Sequence, residues 1–273
     1  MKIGVSQKIL SEIWVYPIKS LPGIRVNSAQ VLSKGLEGDR RFMLIDHTHT
    51  FVTQRNFPQM ALFDISVDSN VIRVRSRSNE RLSTLFIGTD MPNSETIIKS
   101  VIWQDEVDVV EVHPAYSKWF SEALKMDCKL VFFPEGNARR IDPEYVKEDH
   151  HVSLADGYPY LVIGKNSLND LCERTGVELS MKRFRPNFVF DGGTPYEEDE
   201  WNNFGIGSVL FTGVKPCGRC VLTSVDPETG IAGDEPLKTL ASYRKKNGKV
   251  YFGQNVIALN YGEIKKGDEI NLL

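Results

Sequence analysis

Apolar residues along this chain recur with period two or gather into short β-branched runs bounded by Gly, Pro, Asn and Asp, the pattern of strands. The pattern predicts strands over Ile13–Tyr16, Phe42–Ile45, Leu62–Val67, Val71–Arg75, Val107–Glu111, Leu130–Phe133, Tyr160–Ile163, Phe188–Phe190, Val209–Phe211, Val221–Ser224, Val256–Leu259 and Glu269–Leu272. Three segments carry helical spacing instead. Ala115–Lys125 sets Trp119, Phe120, Ala123 and Leu124 on one face, and Ser167–Arg174 starts at a capping-type residue and stops before Gly176. Pro236–Arg244 opens with proline and spaces Leu237, Leu240 and Tyr243 for packing. A polar stretch from Pro134 to Asp149 separates two strand-rich halves, taken as residues 8–128 and 129–273. Without a βαβ alternation, the expected fold class is mainly β (α+β): two β-barrel-like domains, largely antiparallel, with a few accessory helices.

With 273 residues, 41% hydrophobic and 25% charged, the chain can bury a substantial core, and disorder or low complexity is excluded. Lys plus Arg number 33 against 36 for Asp plus Glu, a net charge of −3. That balance argues against a general nucleic-acid surface but leaves room for a local basic pocket. No apolar run reaches the ~18–20 residues of a membrane span. The opening Met1–Ser6 runs into polar Gln7–Lys8 before a signal-peptide core develops, so a cytoplasmic protein without membrane contact is expected.

The motifs G-x-x-x-x-G-K-[ST], G-x-S-x-G and H-E-x-x-H are absent. Gly205–Ile206–Gly207 begins a dinucleotide-like pattern, but Leu210 stands where the third glycine belongs. His47–Thr48–His49 and His150–His151 read as exposed turn histidines. Cys217–Gly218–Arg219–Cys220 asks for a chemical explanation, because four cysteines in all are too few for a disulfide scaffold. A closed zinc site lacks its second half-site. A redox dithiol normally opens a helix, whereas the strand-like Val221–Val225 follows here. Two readings stay open: one thiolate serving a soft metal or acting as nucleophile beside Arg219, or two cysteines packing as small hydrophobes.

Cations next to turn signals give a second clue. Tyr16–Pro17–Ile18–Lys19–Ser20, Asp39–Arg40–Arg41–Phe42 and Arg183–Phe184–Arg185–Pro186–Asn187 each set basic residues at a strand end. Taken singly they are solvated strand ends; converging, they would make an anion pocket with the bidentate geometry that arginine supplies.

These residues together resemble a known family. Tyr16–Ser20 and Gly38–Phe42 resemble the amino-terminal β-barrel that precedes a molybdenum-cofactor sulfurase carboxy-terminal (MOSC) domain. Phe184–Asn187, Cys217–Gly230, Phe252–Asn255 and Ile264–Asp268 resemble the MOSC core. The match covers nearly the whole chain, and the pairing resembles the mitochondrial amidoxime-reducing component and its bacterial relatives, which bind a molybdopterin cofactor and reduce N-hydroxylated compounds. The resemblance implies Cys220 as the catalytic protein thiolate on molybdenum. It implies Lys19, Ser20, Arg41, Arg185, Asn187 and Arg219 around the pterin and its phosphate, with Gly157, Tyr158, Gly218 and Asn255 also lining the cofactor. At those last four positions the side chains differ from the animal enzymes, so contacts there fall to backbone or other atoms. A dithiolene would bring two sulfurs and Cys220 a third soft ligand. Asp226–Gly230 is expected to be a tight turn.

The chain carries no iron–sulfur ligands to spare after Gly267–Leu272 and no amino-terminal anchor of the animal kind, so electrons are expected from a separate protein, a flavin reductase or small electron carrier. The resulting expectation is a molybdopterin-dependent reductase of small N-hydroxylated substrates such as hydroxylamino base analogues and amidoximes. The alternatives are a cysteine-persulfide sulfur carrier for cofactor or metal–sulfur assembly, and a cofactor-storage module without turnover.

Overall fold

The computed structural model describes residues 7–90 and 96–273; the Met1–Ser6 stretch read above lies outside the described residues. Seven strands close into a barrel in the spatial order Tyr160–Gly164, Phe188–Asp191, Lys8–Val15, Glu269–Leu272, Asn203–Ile206, Val209–Arg219, Lys249–Ala258, the last returning to the first. Closure leaves no free edge along this ring. Alternate inward residues fill it with aromatics: Tyr160 stacks on Phe188 at 5.4 Å between centroids, and Phe211 on Phe204 at 5.6 Å. The amino-terminal strand Lys8–Val15 is part of this barrel, paired between strands more than 170 residues downstream.

One barrel pair departs from the antiparallel expectation. Tyr160–Gly164 and Phe188–Asp191 run parallel, which requires a crossover, supplied by the helix α1 (Lys165–Thr175). The first helical turn starts at Gly164, which has no side chain to cap it. Buried Glu198 does so from across the fold, accepting the Gly164 N–H at 3.1 Å and the Ser167 hydroxyl at 2.9 Å.

Seven further strands form a half-barrel beside it, Phe42–Ile45, Lys129–Phe132, Asp105–Glu111 and Ile97–Ile102 in one antiparallel sheet and Phe63–Asp68, Val71–Ser76 and Leu85–Gly88 in another, while Gly262–Lys265, Ser28–Leu32 and Gly35–Leu36 make a third, small sheet. The helix Pro114–Leu124 packs Trp119, Phe120, Ala123 and Leu124 between the first two. The helix predicted last in the sequence forms over Leu237–Tyr243. From Pro134 to Pro159 the chain holds no helix or strand beyond an isolated bridge, but it is pinned by Arg139, which reaches Asp105 at 2.7 Å and the carbonyl of Asp156 at 3.0 Å.

One predicted strand is corrected. Val221–Ser224 is a 3-10 turn, because the carbonyl of Cys220 accepts both the N–H and the hydroxyl of Thr223, at 3.0 and 2.9 Å. A local threonine contact thereby outcompetes the ladder that its β-branched composition suggests. Asp226–Gly230 forms the expected turn: Asp226 accepts the N–H groups of Glu228 and Thr229, each at 2.9 Å, and Gly230 has φ 68°.

Candidate functional site

A cavity of about 610 Å³ opens between the two halves. Six cations line it, Lys19, Arg40, Arg55, Arg185, Arg219 and Lys249, against a single carboxylate, Asp156. On a chain whose net charge is −3, that wall is a focused positive field.

Two of these cations rest on Tyr16, behind the cavity wall. The guanidinium groups of Arg40 and Arg185 lie over this ring at 4.4 and 4.3 Å from the centroid. Burial pushes the Tyr16 hydroxyl above its ordinary range, and it donates to the Pro186 carbonyl at 3.0 Å. Arg40 is held by Asp39, by the Asn187 side-chain oxygen at 3.3 Å and by the Arg185 carbonyl at 3.2 Å. Arg185 donates to the Leu21 carbonyl at 2.7 Å, and its Nη2 is buried with no hydrogen-bond partner. Burial pulls the Arg185 guanidinium down to about 10. Ser20, Arg40 and Arg185 all occupy left-handed backbone, at φ 65°, 50° and 55°. Such conformations cost of order 1 kcal/mol each and survive where surrounding bonds fix them, here at the turns that aim these side chains together.

A second chain of contacts leads to the sulfur. Lys19 is buried and donates to Asp156 at 2.6 Å and to the Leu154 carbonyl at 2.7 Å. Burial pulls its ammonium down to about 8 despite the opposing effect of Asp156. Desolvation works upward on the Asp156 carboxyl, but Lys19 and Arg55 outweigh it and hold it below the usual carboxylate range. Arg55 donates to Asp156 at 3.0 Å, lies 4.3 Å over the Trp103 ring, and donates from Nε to Cys220 Sγ at 3.1 Å. Cys220 follows the strand Val209–Arg219, whose register shifts twice, between Gly213 and Lys215 and between Pro216 and Gly218. Bulges of this kind re-aim side chains. Cys217 Sγ, by contrast, accepts from Arg219 at 3.0 Å and packs against the cluster containing Phe184 and Phe252.

Lys19, Ser20, Gly157, Tyr158, Arg185, Asn187, Gly218, Arg219, Cys220 and Asn255 therefore meet around one cavity. Arg41 does not. It diverges from Arg40 at the left-handed turn and bonds Glu135 and the Phe133 carbonyl, the latter at 2.7 Å. Arg40 stands where Arg41 was expected. Sequence reasoning also missed Arg55, Trp103 and Asp156. Asp156 directly precedes the expected Gly157–Tyr158 pair, but Arg55 and Trp103 carried no local signal. Among the described residues no group of three or more His, Cys, Asp or Glu side chains could hold a metal, and no helix is long and apolar enough to cross a membrane.

Residues 149–271 match the MOSC domain and residues 7–127 the MOSC N-terminal beta barrel domain. The chain belongs to the MOSC family. Among curated MOSC relatives, human mitochondrial amidoxime-reducing component 1 is 30% identical over 97% of this chain and 82% of its own length. The mouse protein of the same name is 32% identical over the same shares. The molybdenum cofactor sulfurase of Oryza sativa subsp. japonica is 28% identical over 97% of this chain, which spans 34% of that larger protein. Relatives named for amidoxime reduction and for molybdenum-cofactor chemistry thus share the MOSC architecture described here.

Proposed function

We propose that this MOSC protein is a molybdenum-cofactor-dependent reductase of N-hydroxylated compounds, amidoximes and hydroxylamino base analogues among them, working in the cytoplasm with electrons from a separate protein. The observation that carries this reading is the Cys220 sulfur, met by Arg55 at a cavity walled by six cations from both halves of the chain. Among the described residues Cys220 belongs to no cluster of three or more ligating side chains, which suits a metal that arrives with its own sulfur donors.

The residues present fit such a cofactor. Arg185 Nη2 and Arg219 Nε are buried without partners, a cost that phosphate or pterin acceptors would remove. A Cβ at Gly157 or Gly218 would meet nothing within 4 Å, which leaves room for a flat ring to approach the backbone. In this reading Arg185, Arg40, Lys19 and Ser20 hold the phosphate, while Arg219, Asn255 and the Gly157–Tyr158 and Gly218 backbone border the pterin. Asn187 keeps Arg40 aimed, and Cys220 is the metal ligand. When bound, the cofactor supplies two-electron removal of oxygen from an N–OH group: substrate, two electrons and two protons give the amine and water. Arg55 fixes the Cys220 sulfur from one side, and Asp156 fixes Arg55 and Lys19 relative to each other.

Production in a host that makes molybdenum cofactor, followed by metal and pterin quantification and by turnover of benzamidoxime with reduced methyl viologen, tests the proposal. Equimolar molybdenum and pterin with turnover is the expected result. Protein carrying neither would overturn it, and cyanide-releasable sulfur on Cys220 in that material would identify a sulfur carrier instead.

A further inference from the structure

The run Arg244–Lys249 forms a hairpin at the rim of this cavity. Lys245 pairs with Val250 and Lys246 with Lys249 across a two-residue turn, with Asn247 at φ 51° and Gly248 at φ 76°. Two consecutive left-handed residues match the twist of the flanking strands, so the tip is a rigid mount for its side chains. Arg244 turns inward onto Asp199 and the Tyr196 ring, which places its charge inside the fold. Lys245, Lys246 and Lys249 are exposed, and among the described residues they have no ion-pair partner.

Two further observations tie this patch to the site. Lys249 lines the cavity that holds Cys220. The helix Leu237–Tyr243 packs against both the hairpin and the Val221–Ser224 turn, where Val221, next to Cys220, is 59% exposed. Unpaired lysines beside a cavity mouth are the makeup of a surface that steers a protein partner of opposite charge. An edge strand needs charge to deter pairing, but either sign would serve that purpose. Three uncompensated lysines on a net-acidic chain make a field of one sign.

We infer that this rim docks the electron donor, and that the donor is a small redox protein with an acidic surface around its redox centre. The inference rests on the reductase reading above. Each N–OH reduced consumes two electrons, so a carrier oxidised by one electron must dock twice per turnover, and fast, electrostatically steered encounter matters. An anionic membrane would also attract lysines, but here they border a cavity mouth and not the polar side of an amphipathic helix.

The test uses the molybdenum-loaded protein, a K245E/K246E variant and a K245R/K246R control, with photoreduced flavodoxin as the acidic carrier and reduced methyl viologen as a donor that needs no docking. With viologen all three are expected to turn over benzamidoxime within about twofold of one another, since neither position lines the cavity. With flavodoxin at low salt, the charge-reversed variant is expected to lose roughly tenfold in kcat/KM, through KM, and the arginine control to keep the wild-type value. Calorimetric titration with flavodoxin should show a matching loss of affinity, and raising salt to ~0.3 M should erase most of the difference. Equal flavodoxin kinetics in wild type and K245E/K246E would overturn the inference, as would a wild type that flavodoxin cannot reduce although viologen can. Binding of phosphatidylserine vesicles through these lysines, with unchanged flavodoxin kinetics, would assign the patch to a membrane and overturn it too. A loaded wild type inactive even with viologen would instead sink the reductase reading.

Discussion

Cys217 and Cys220 lie three residues apart and meet different fates. Both line the cavity, but the sulfur of Cys217 accepts from Arg219 and packs against an aromatic cluster, whereas that of Cys220 accepts from Arg55. Cys220→Ser is therefore expected to abolish activity and deplete molybdenum, while Cys217→Ser keeps most of both. Equal losses, measured as metal content and amidoxime turnover, would undo the single-ligand assignment. The C-x-x-C spacing was legible in the sequence and the family resemblance singled out Cys220; the spacing alone did not, because the neighbour that distinguishes it, Arg55, is 165 residues away. Glu198 makes a separate prediction. Burial pushes its carboxyl up to about 7, only partly offset by the Gly164 and Ser167 bonds. With a folded-state value above the unfolded one, ionisation opposes folding, so stability is fully present below about pH 4.5 and is lost as pH rises toward 7. Glu198→Gln should flatten that slope, gaining up to ~3 kcal/mol at pH 8 relative to pH 4 in urea unfolding. A slope identical to wild type would exclude Glu198 as its source.

Among the elements, the strand Val209–Arg219 does the most to shape the site. Only its first three residues were predicted, since Lys215, Pro216 and Gly218 break the apolar alternation where the register shifts occur. Gly213 sits at the first shift, where a Cβ would collide with the Trp201 carbonyl oxygen and meet Gln254 Nε2 at 2.9 Å. Gly213→Ala must push the strand Val209–Arg219 away from the Trp201 backbone. It is expected to cost ~1–3 kcal/mol in a thermal or urea melt and to lower cofactor content by misplacing Gly218 and Arg219. An unshifted melting midpoint would mean that the bulge tolerates a side chain. The helices were legible from their spacing, as were strands such as Phe42–Ile45 and Glu269–Leu272, whose ends match the prediction. Val221–Ser224 was not, because its β-branched composition is that of a strand and one hydroxyl bond to Cys220 decides otherwise.

At the scale of the whole molecule, the cavity exists only because the two halves close around it: Lys19, Arg40 and Arg55 come from one side, Arg185, Arg219 and Cys220 from the other. Arg185→Ala removes a charge-assisted contact worth ~1.5–3 kcal/mol. The cofactor is expected to be held about 10–150-fold more weakly. Molybdenum and pterin should be lost together on gel filtration while circular dichroism stays native, and full occupancy would remove Arg185 from the phosphate pocket. The sequence by itself determined the mainly β architecture, the cations at strand ends, the paired cysteines and the family resemblance, because each is written in local periodicity or in short ordered motifs. Only the tertiary structure decided that Arg40 and not Arg41 faces the cavity, that Arg55 and Asp156 join the site, and that a lysine hairpin borders its mouth. Those outcomes depend on which side chains converge from distant segments, and on the left-handed turns and bulges that aim them, information that no local pattern of hydrophobic and polar residues contains.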